Sequence, residues 1–227
     1  MRRTFLRLTI AFLTFVIGAT AFWLAPRFPF SENTYSKRFA NDIYFPVGTF
    51  IPDELRENRL VEGYSNCLAA MGEPAIHSFT GKEVETYRFL YLRSFHLPVM
   101  VRIWKSGGER YMIVKQLDGN GEIKRRENGG EWVFPHKLDV NVTRTLTEDE
   151  WNSFTDLLAK ADFWNLPTIE KECCFPDGAT WLMEGVRGQR YHVIDRQSPA
   201  SGNYREACVY LLKLSGLKIE ESRDEIY

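Results

Sequence analysis

The chain has 227 residues, of which 44% are hydrophobic, 14% aromatic and 26% charged. This composition is typical of a globular protein and excludes a disordered chain. The formal net charge is −1, and because residues 1–25 carry +3, the remainder carries −4. Nucleic-acid-binding domains are normally basic, so we expect no nucleic-acid partner.

The N-terminus combines a basic start with an apolar run. Three arginines in residues 1–7 precede residues 8–25, which are interrupted only by three threonines and one glycine. About 18 apolar residues is at the short end of what spans a bilayer. An uncleaved signal anchor is the favoured interpretation, because residues 22–24 continue the apolar run past the small-residue site at 19–21. A cleaved signal peptide and a buried core helix are the alternatives.

The first two interpretations both predict a domain outside the cytoplasm. The protein would be anchored in the membrane through residues 8–25, or be periplasmic or secreted if that segment is cleaved. Positive residues flank the segment equally, so the predicted orientation depends on the short basic start. Residues 26–50 are predicted to be a linker, and residues 51–220 a single α+β domain of a size that can bury its own core.

The domain is predicted to begin with a helix. Apolar residues recur at helical spacing over 52–71, and Gly72 followed by Pro74 is a typical helix end. The period then changes to two, which predicts strands at 87–95, 99–103, 111–117, 132–134 and 138–144. No crossover helix separates these strands, so we expect an antiparallel meander.

A second helix is indicated by a capping box, with Thr147 as N-cap and Glu150 three positions on. Its apolar face continues to residue 161. A hairpin of strands 181–186 and 191–196 and a last helix at 203–215 complete the pattern. The predicted fold is α+β: an antiparallel sheet of about six to eight strands with three helices, at least two of them packed on one face.

Four cysteines, Cys67, Cys173, Cys174 and Cys208, permit one disulfide in an oxidising compartment. Buried reduced thiols are the alternative. No Cys-x-x-Cys spacing or histidine cluster accompanies them, so no metal is expected. Phosphate loops, hydrolase nucleophile elbows and metalloprotease helices are also absent from the sequence, and no cofactor is expected.

The hairpin holds the most suggestive polar residues. A three-residue turn at 187–189 would place Glu184 opposite His192, and a carboxylate beside an imidazole can tune a general base. Arg196 follows on the same strand. A structural role for the Glu184–His192 pair is the favoured interpretation. Arg88 and Arg93, with Arg102 on the next strand, would form an anion-binding face or, as is more usual, lie along the solvent side of the sheet.

One set of residues also carries a family resemblance: Asp177-Gly178-Ala179, Trp181, Glu184-Gly185, Tyr191-His192, Arg196 and Ser198-Pro199, preceded by Tyr87-Arg88-Phe89-Leu90 and Arg93. With these residues, the chain resembles a family of uncharacterised exported or membrane-anchored bacterial proteins over about residues 84–215. Gln197 departs from the pattern, where a tryptophan is expected. The resemblance implies a bacterial cell-envelope protein and no particular activity.

Three hypotheses for function follow. The favoured one is a non-enzymatic envelope domain that is tethered by its N-terminal helix and binds an unknown envelope protein or small ligand. The second is a small hydrolase or transferase centred on Glu184, His192 and Arg196. The third is a structural or stress-related envelope protein. A concave pocket that contains His192 with Glu184 and Arg88 or Arg93 would favour the enzyme, and a flat sheet with an exposed apolar patch would favour the binding module.

Overall fold

A computed structural model of the protein describes residues 44–46, 48–50, 54–119, 124–125, 132–133, 137–170 and 178–219. The predicted membrane segment, residues 8–25, lies outside them, as do the predicted helix start at 52–53 and most of the linker. Within the described parts of the chain, no helix is long and apolar enough to cross a membrane.

The described residues contain three α-helices, one 3₁₀ helix and eight strands. The helices are α1 (Glu54–Ala70), the 3₁₀ helix (Ile76–Phe79), α2 (Glu148–Lys160) and α3 (Asn203–Ser215). The strands are β1 (Val84–Arg93), β2 (Val99–Ser106), β3 (Glu109–Leu117), β4 (Lys124–Arg125), β5 (Trp132–Val133), β6 (Leu138–Thr145), β7 (Ala179–Arg187) and β8 (Arg190–Gln197). The predicted α+β class is confirmed.

Six strands form one antiparallel sheet in the order β6-β3-β2-β1-β7-β8. The β1-β2-β3 run is the predicted meander, and the β7–β8 hairpin pairs with the free side of β1. The prediction was wrong in two details. Among the described residues, strand β5 pairs only with β4, in a separate two-stranded sheet. The first strand ends at Arg93, because Phe95 has a φ of +67° and is 84% exposed.

Both faces of the large sheet are covered along its central strands, whereas the edge strand β6 is mostly exposed. Helices α2 and α3 pack on one face, which we call the two-helix face, over the aromatic side chains Tyr87, Phe89 and Tyr91 of β1. Helix α1 packs on the other, the α1 face, over a second apolar cluster that includes Leu90 and Leu182. Alternate residues of the central strands therefore enter two different cores, and neither set faces solvent.

Helix α2 begins with the predicted capping box. The Thr147 side chain accepts a hydrogen bond from the Glu150 backbone N–H, and the Glu150 side chain accepts one from the Thr147 N–H. Trp151, Phe154 and Leu158 are buried beneath the helix. Each of these features depends on residues within three or four positions of one another, which is why the sequence alone predicts them.

The end of α1 brings an acidic residue onto the sheet. Gly72 adopts a φ of +61°, and the Glu73 N–H donates to the Leu68 carbonyl at 2.9 Å. This closure reverses the chain directly after the helix. As a result Glu73, which is 3% exposed, lies against the strands of the α1 face instead of pointing into solvent.

Candidate functional site

The register of the β7–β8 hairpin separates the two residues that were expected to meet. The turn has two residues, Gly188 and Gln189, and Arg187 pairs with Arg190. Glu184 therefore pairs with Val193, and His192 pairs with Gly185. The predicted Glu184–His192 pair is wrong, because a change of one residue in register moves a side chain to the opposite face of the sheet.

Glu184 lies on the α1 face, buried beside an arginine of the neighbouring strand. The Arg88 Nε donates to the Glu184 carboxylate at 2.8 Å, and the Tyr191 hydroxyl donates to it at 3.0 Å. Arg88 is completely buried, so the interpretation of this arginine as a solvent-side residue is also wrong. Burial raises the pKa of Glu184, and the Arg88 charge and hydrogen bonds only partly oppose that shift.

Glu73 is the centre of a wider set of charges on this face. Its carboxylate lies 2.7 Å from the Arg102 Nε, 2.8 Å from the Lys115 Nζ and 3.8 Å from the Arg88 Nη1. Burial opposes the ionisation of Glu73, but Arg102, Lys115 and Arg88 outweigh it and lower the pKa. We call Glu73, Arg88, Arg102, Lys115 and Glu184 the ionic cluster.

Two cations of the ionic cluster also donate hydrogen bonds to backbone carbonyls. The Arg88 Nη1 donates to the Pro74 carbonyl at 2.6 Å, and the Lys115 Nζ donates to the Met71 carbonyl at 2.7 Å. These carbonyls follow α1, so the helix end and the sheet are joined through the cluster. Sequence reasoning missed both Glu73 and Lys115, since neither lies in a recognisable motif.

Arg102 differs from the other two cations. Its Nε donates to Glu73, whereas its Nη1 and Nη2 donate to no acceptor among the described residues. The guanidinium carbon lies 4.6 Å from the centroid of the Trp104 ring, which is stacked on Tyr111 with centroids 5.3 Å apart. Trp104 and Tyr111 are both half-buried, so this side of the cluster is the one that approaches the surface.

His192 lies on the two-helix face, away from the ionic cluster. Its Nε2 is 2.9 Å from the Leu166 carbonyl oxygen, and its ring contacts Phe163 at a centroid distance of 5.3 Å. Burial lowers the pKa of His192, and the hydrogen bond to Leu166 opposes that shift only in part. One imidazole nitrogen is thus engaged in holding the segment after α2.

Arg196 holds the same segment. Its Nη2 donates to the Pro167 carbonyl at 2.8 Å and its Nη1 to the Thr168 carbonyl at 3.1 Å, while its Nε lies 2.9 Å from Glu170. The segment 164–170 runs along the outer edge of β8, where the Asp195 N–H donates to the Thr168 carbonyl. We call this segment the strap. Arg196 and His192 fasten it to the sheet.

Arg93 joins neither group. Its guanidinium carbon lies 5.2 Å from the centroid of the Tyr91 ring, at the end of β1. Of the five residues proposed as a ligand site, the structure therefore brings together only Arg88 and Glu184. His192 and Arg196 share the strap, and Arg93 lies apart from both pairs.

The structure also bears on the cysteines and on metal binding. Cys67 and Cys208 are free, buried thiols that belong to the cores on opposite faces of the sheet. Cys173 and Cys174 lie outside the described residues, so a disulfide involving them stays a prediction. In the described ranges, no group of three or more histidine, cysteine, aspartate or glutamate side chains is placed to hold a metal ion.

No protein-family model, curated protein or solved structure matches this chain.

Proposed function

We propose that the protein is a non-enzymatic domain of the bacterial cell envelope that is tethered to the membrane by residues 8–25 and binds another envelope component. The basic start and the apolar run that follows it support the tether. The family resemblance in the second hairpin supports the bacterial envelope. The arrangement of polar side chains supports a binding module over an enzyme.

One observation carries the choice against catalysis. The polar residues of the resemblance are used to build the hairpin: Glu184 bonds to Arg88, His192 to the Leu166 carbonyl, and Arg196 to the strap. A general acid or base must reach a substrate proton. Glu184 is completely buried and lies on the face opposite His192, so the two cannot act on one substrate atom.

The neighbouring residues of the resemblance also have structural explanations. The Ser198 hydroxyl accepts a hydrogen bond from the Ala179 N–H at 2.8 Å. Gly185 lies so close to Phe163 and Tyr87 that an added Cβ would force one of these rings to move. Trp181 is completely buried. The residues that carry the resemblance are therefore explained by their contacts within the hairpin and with the strap, without a catalytic role.

Replacement of His192 by Gln tests the proposal. Glutamine can keep a hydrogen bond to the Leu166 carbonyl, so we expect the free energy of unfolding to change by no more than about 1 kcal/mol and the cellular phenotype to be retained. Thermal unfolding beside complementation of a deletion strain measures both. A stable variant that fails to complement would mean that His192 exchanges a proton in a reaction, and the enzyme hypothesis would replace the binding module.

The tether needs its own test. Cell fractionation of the full-length chain should recover it with membranes, and a chain that lacks residues 1–25 should be soluble and folded. Full-length protein in the soluble cytosol would contradict the tether and leave the rest of the proposal without its location. A purely structural envelope protein would fractionate in the same way but would capture no envelope component on crosslinking.

A further inference from the structure

The ionic cluster contains more positive than negative charge. Arg88, Arg102 and Lys115 contribute three cations, and Glu73 and Glu184 two carboxylates, so the cluster carries +1 when both acids are ionised. Asp195, a residue of β8, also lies on the α1 face, but its carboxylate accepts a hydrogen bond from the Tyr64 hydroxyl of α1, and β8 lies two strands from β1. An excess positive charge among largely buried groups favours an anion as its counter-charge. The cluster therefore favours one further anion.

The donors for that anion are the free nitrogens of Arg102. Only 6% of this residue is exposed, and its Nε is fixed by Glu73, yet the Nη1 and Nη2 groups have no acceptor in the described part of the chain. Arg88 offers the contrast, since all three of its nitrogens donate to Glu184 or Pro74. A guanidinium with its two terminal nitrogens free and its orientation fixed is suited to bind a carboxylate or phosphate through two parallel hydrogen bonds.

The side chains around Arg102 indicate what the anion is attached to. Trp104 and Tyr111 form the stacked pair beside the guanidinium, and Ile113 lies directly opposite Arg102 on β3. All three are half-buried, whereas Thr143, the next residue across on β6, is exposed. This half of the α1 face thus offers an aromatic and aliphatic surface next to a guanidinium whose two terminal nitrogens have no acceptor among the described residues. Such a surface binds a flat or apolar group.

We propose that Arg102, Trp104, Tyr111 and Ile113 form a binding site for an oxyanion, a carboxylate or a phosphate, carried on a flat or apolar group. The anion accepts hydrogen bonds from the two terminal nitrogens of Arg102 and balances the charge of the ionic cluster. The apolar group lies on Tyr111 and Ile113. This site is independent of the membrane tether and of His192, so it can fail while the proposed function holds, and the reverse.

Benzoate, phenyl phosphate and neutral benzamide are suitable probes, because they share a ring and differ in the attached group. The probes are titrated into ¹⁵N-labelled full-length protein in detergent micelles, and the indole N–H signal of Trp104 is followed, assigned with a Trp104→Phe variant. We expect a saturable shift with benzoate or with phenyl phosphate, and the tighter of the two identifies the oxyanion. Equal binding of benzamide, or no saturable shift with either anion, would overturn the proposal.

Two substitutions at Ile113 give a matched pair. Ile113→Glu places a carboxylate opposite Arg102 and so supplies the anion from within the chain, whereas Ile113→Gln has the same shape without the charge. We expect Ile113→Glu to weaken benzoate binding by at least about tenfold relative to Ile113→Gln and to raise the unfolding temperature above that of Ile113→Gln. Similar affinities and similar unfolding temperatures for the two variants would refute a role for the free nitrogens of Arg102.

Arg102→Lys provides a third variant that does not depend on the Ile113 pair. Lysine keeps a positive charge beside Glu73 but lacks the two terminal nitrogens, so we expect benzoate affinity to fall by about tenfold or more. Circular dichroism verifies that the variant is folded. Unchanged affinity in the folded Arg102→Lys variant would assign the anion to another cation and overturn the site as proposed.

Discussion

The polar side chains on the two faces of the β7–β8 hairpin have different kinds of bonding partner. On the α1 face, Glu184 is completely buried and is compensated by Arg88, a charge on another strand. On the two-helix face, His192 and Arg196 bond to uncharged backbone carbonyls of the strap at the sheet edge, and the charged partner of Arg196, Glu170, has a side chain that is 63% exposed. A buried charge depends on its charged partner far more than an imidazole depends on a carbonyl. Substitutions on the α1 face should therefore have the larger effects.

The largest expected effect is at Glu73. Glu73→Gln keeps the shape but leaves Arg88, Arg102 and Lys115 around a neutral amide, and breaking a buried ion pair costs about 3–5 kcal/mol in free energy of unfolding. Glu148→Gln is the control, because Glu148 pairs with Arg110 and its side chain is 68% exposed. We expect that control to lose about 1 kcal/mol or less. Urea unfolding measures both, and equal losses would mean that the ionic cluster is not buried.

An intermediate effect is expected at Gly185, on the two-helix face. An added Cβ would lie 2.8 Å from the Phe163 Cε1 and 2.9 Å from the Tyr87 Cδ1. Gly185→Ala should therefore lower the free energy of unfolding by about 1–3 kcal/mol through overpacking.

Gly63→Ala is the control for Gly185→Ala, because the same substitution should here raise the free energy of unfolding. Gly63 is in the middle of α1, and apart from its chain neighbours and the helix backbone no atom of the described residues lies within 4 Å of an added Cβ, so alanine should stabilise the helix by about 1 kcal/mol. Thermal unfolding of the two variants should thus shift in opposite directions. A stabilised Gly185→Ala variant would contradict the packing of the hairpin against Phe163.

The smallest expected effect is a difference in how Glu73 and Glu184 make stability depend on pH. The lowered pKa of Glu73 means that its contribution to stability is present above 4.5, its ordinary value, and is lost as the pH falls through the lower folded value. The raised pKa of Glu184 has the opposite sign, so its protonation favours folding and stability is lost as the pH rises from 4.5 through the raised value.

Comparison of variants over a range of pH tests this difference in sign. Relative to the unsubstituted protein, Glu73→Gln should lose less stability on acidification below pH 4.5. Glu184→Gln should lose less on going from pH 4.5 toward neutrality. Chemical unfolding at a series of pH values gives the difference in unfolding free energy between each variant and the unsubstituted protein. If this difference changed with pH in the same direction for both variants, the two acids would share one environment.

The sequence by itself determined the features that depend on near neighbours. The capping box at Thr147 needs only Glu150 three residues later, and Gly72 ends α1 through its own backbone conformation. Alternating apolar residues in β1 and β2 were enough to predict strands, and the absence of crossover helices was enough to predict antiparallel pairing. These parts of the α+β fold were correct because local geometry alone specifies them.

The tertiary structure decided the sites. A two-residue turn in place of the expected three changed the face of every side chain in β8 relative to β7, and the sequence does not determine that count. Arg88 meets Glu184 across 96 positions of the chain, and Lys115 meets Glu73 across 42. In the sequence, Arg88 reads as a polar position on the solvent side of a sheet, and Glu73 and Lys115 belong to no recognisable motif. They became a buried ionic cluster because α1 covers a face that periodicity alone could not show to be covered.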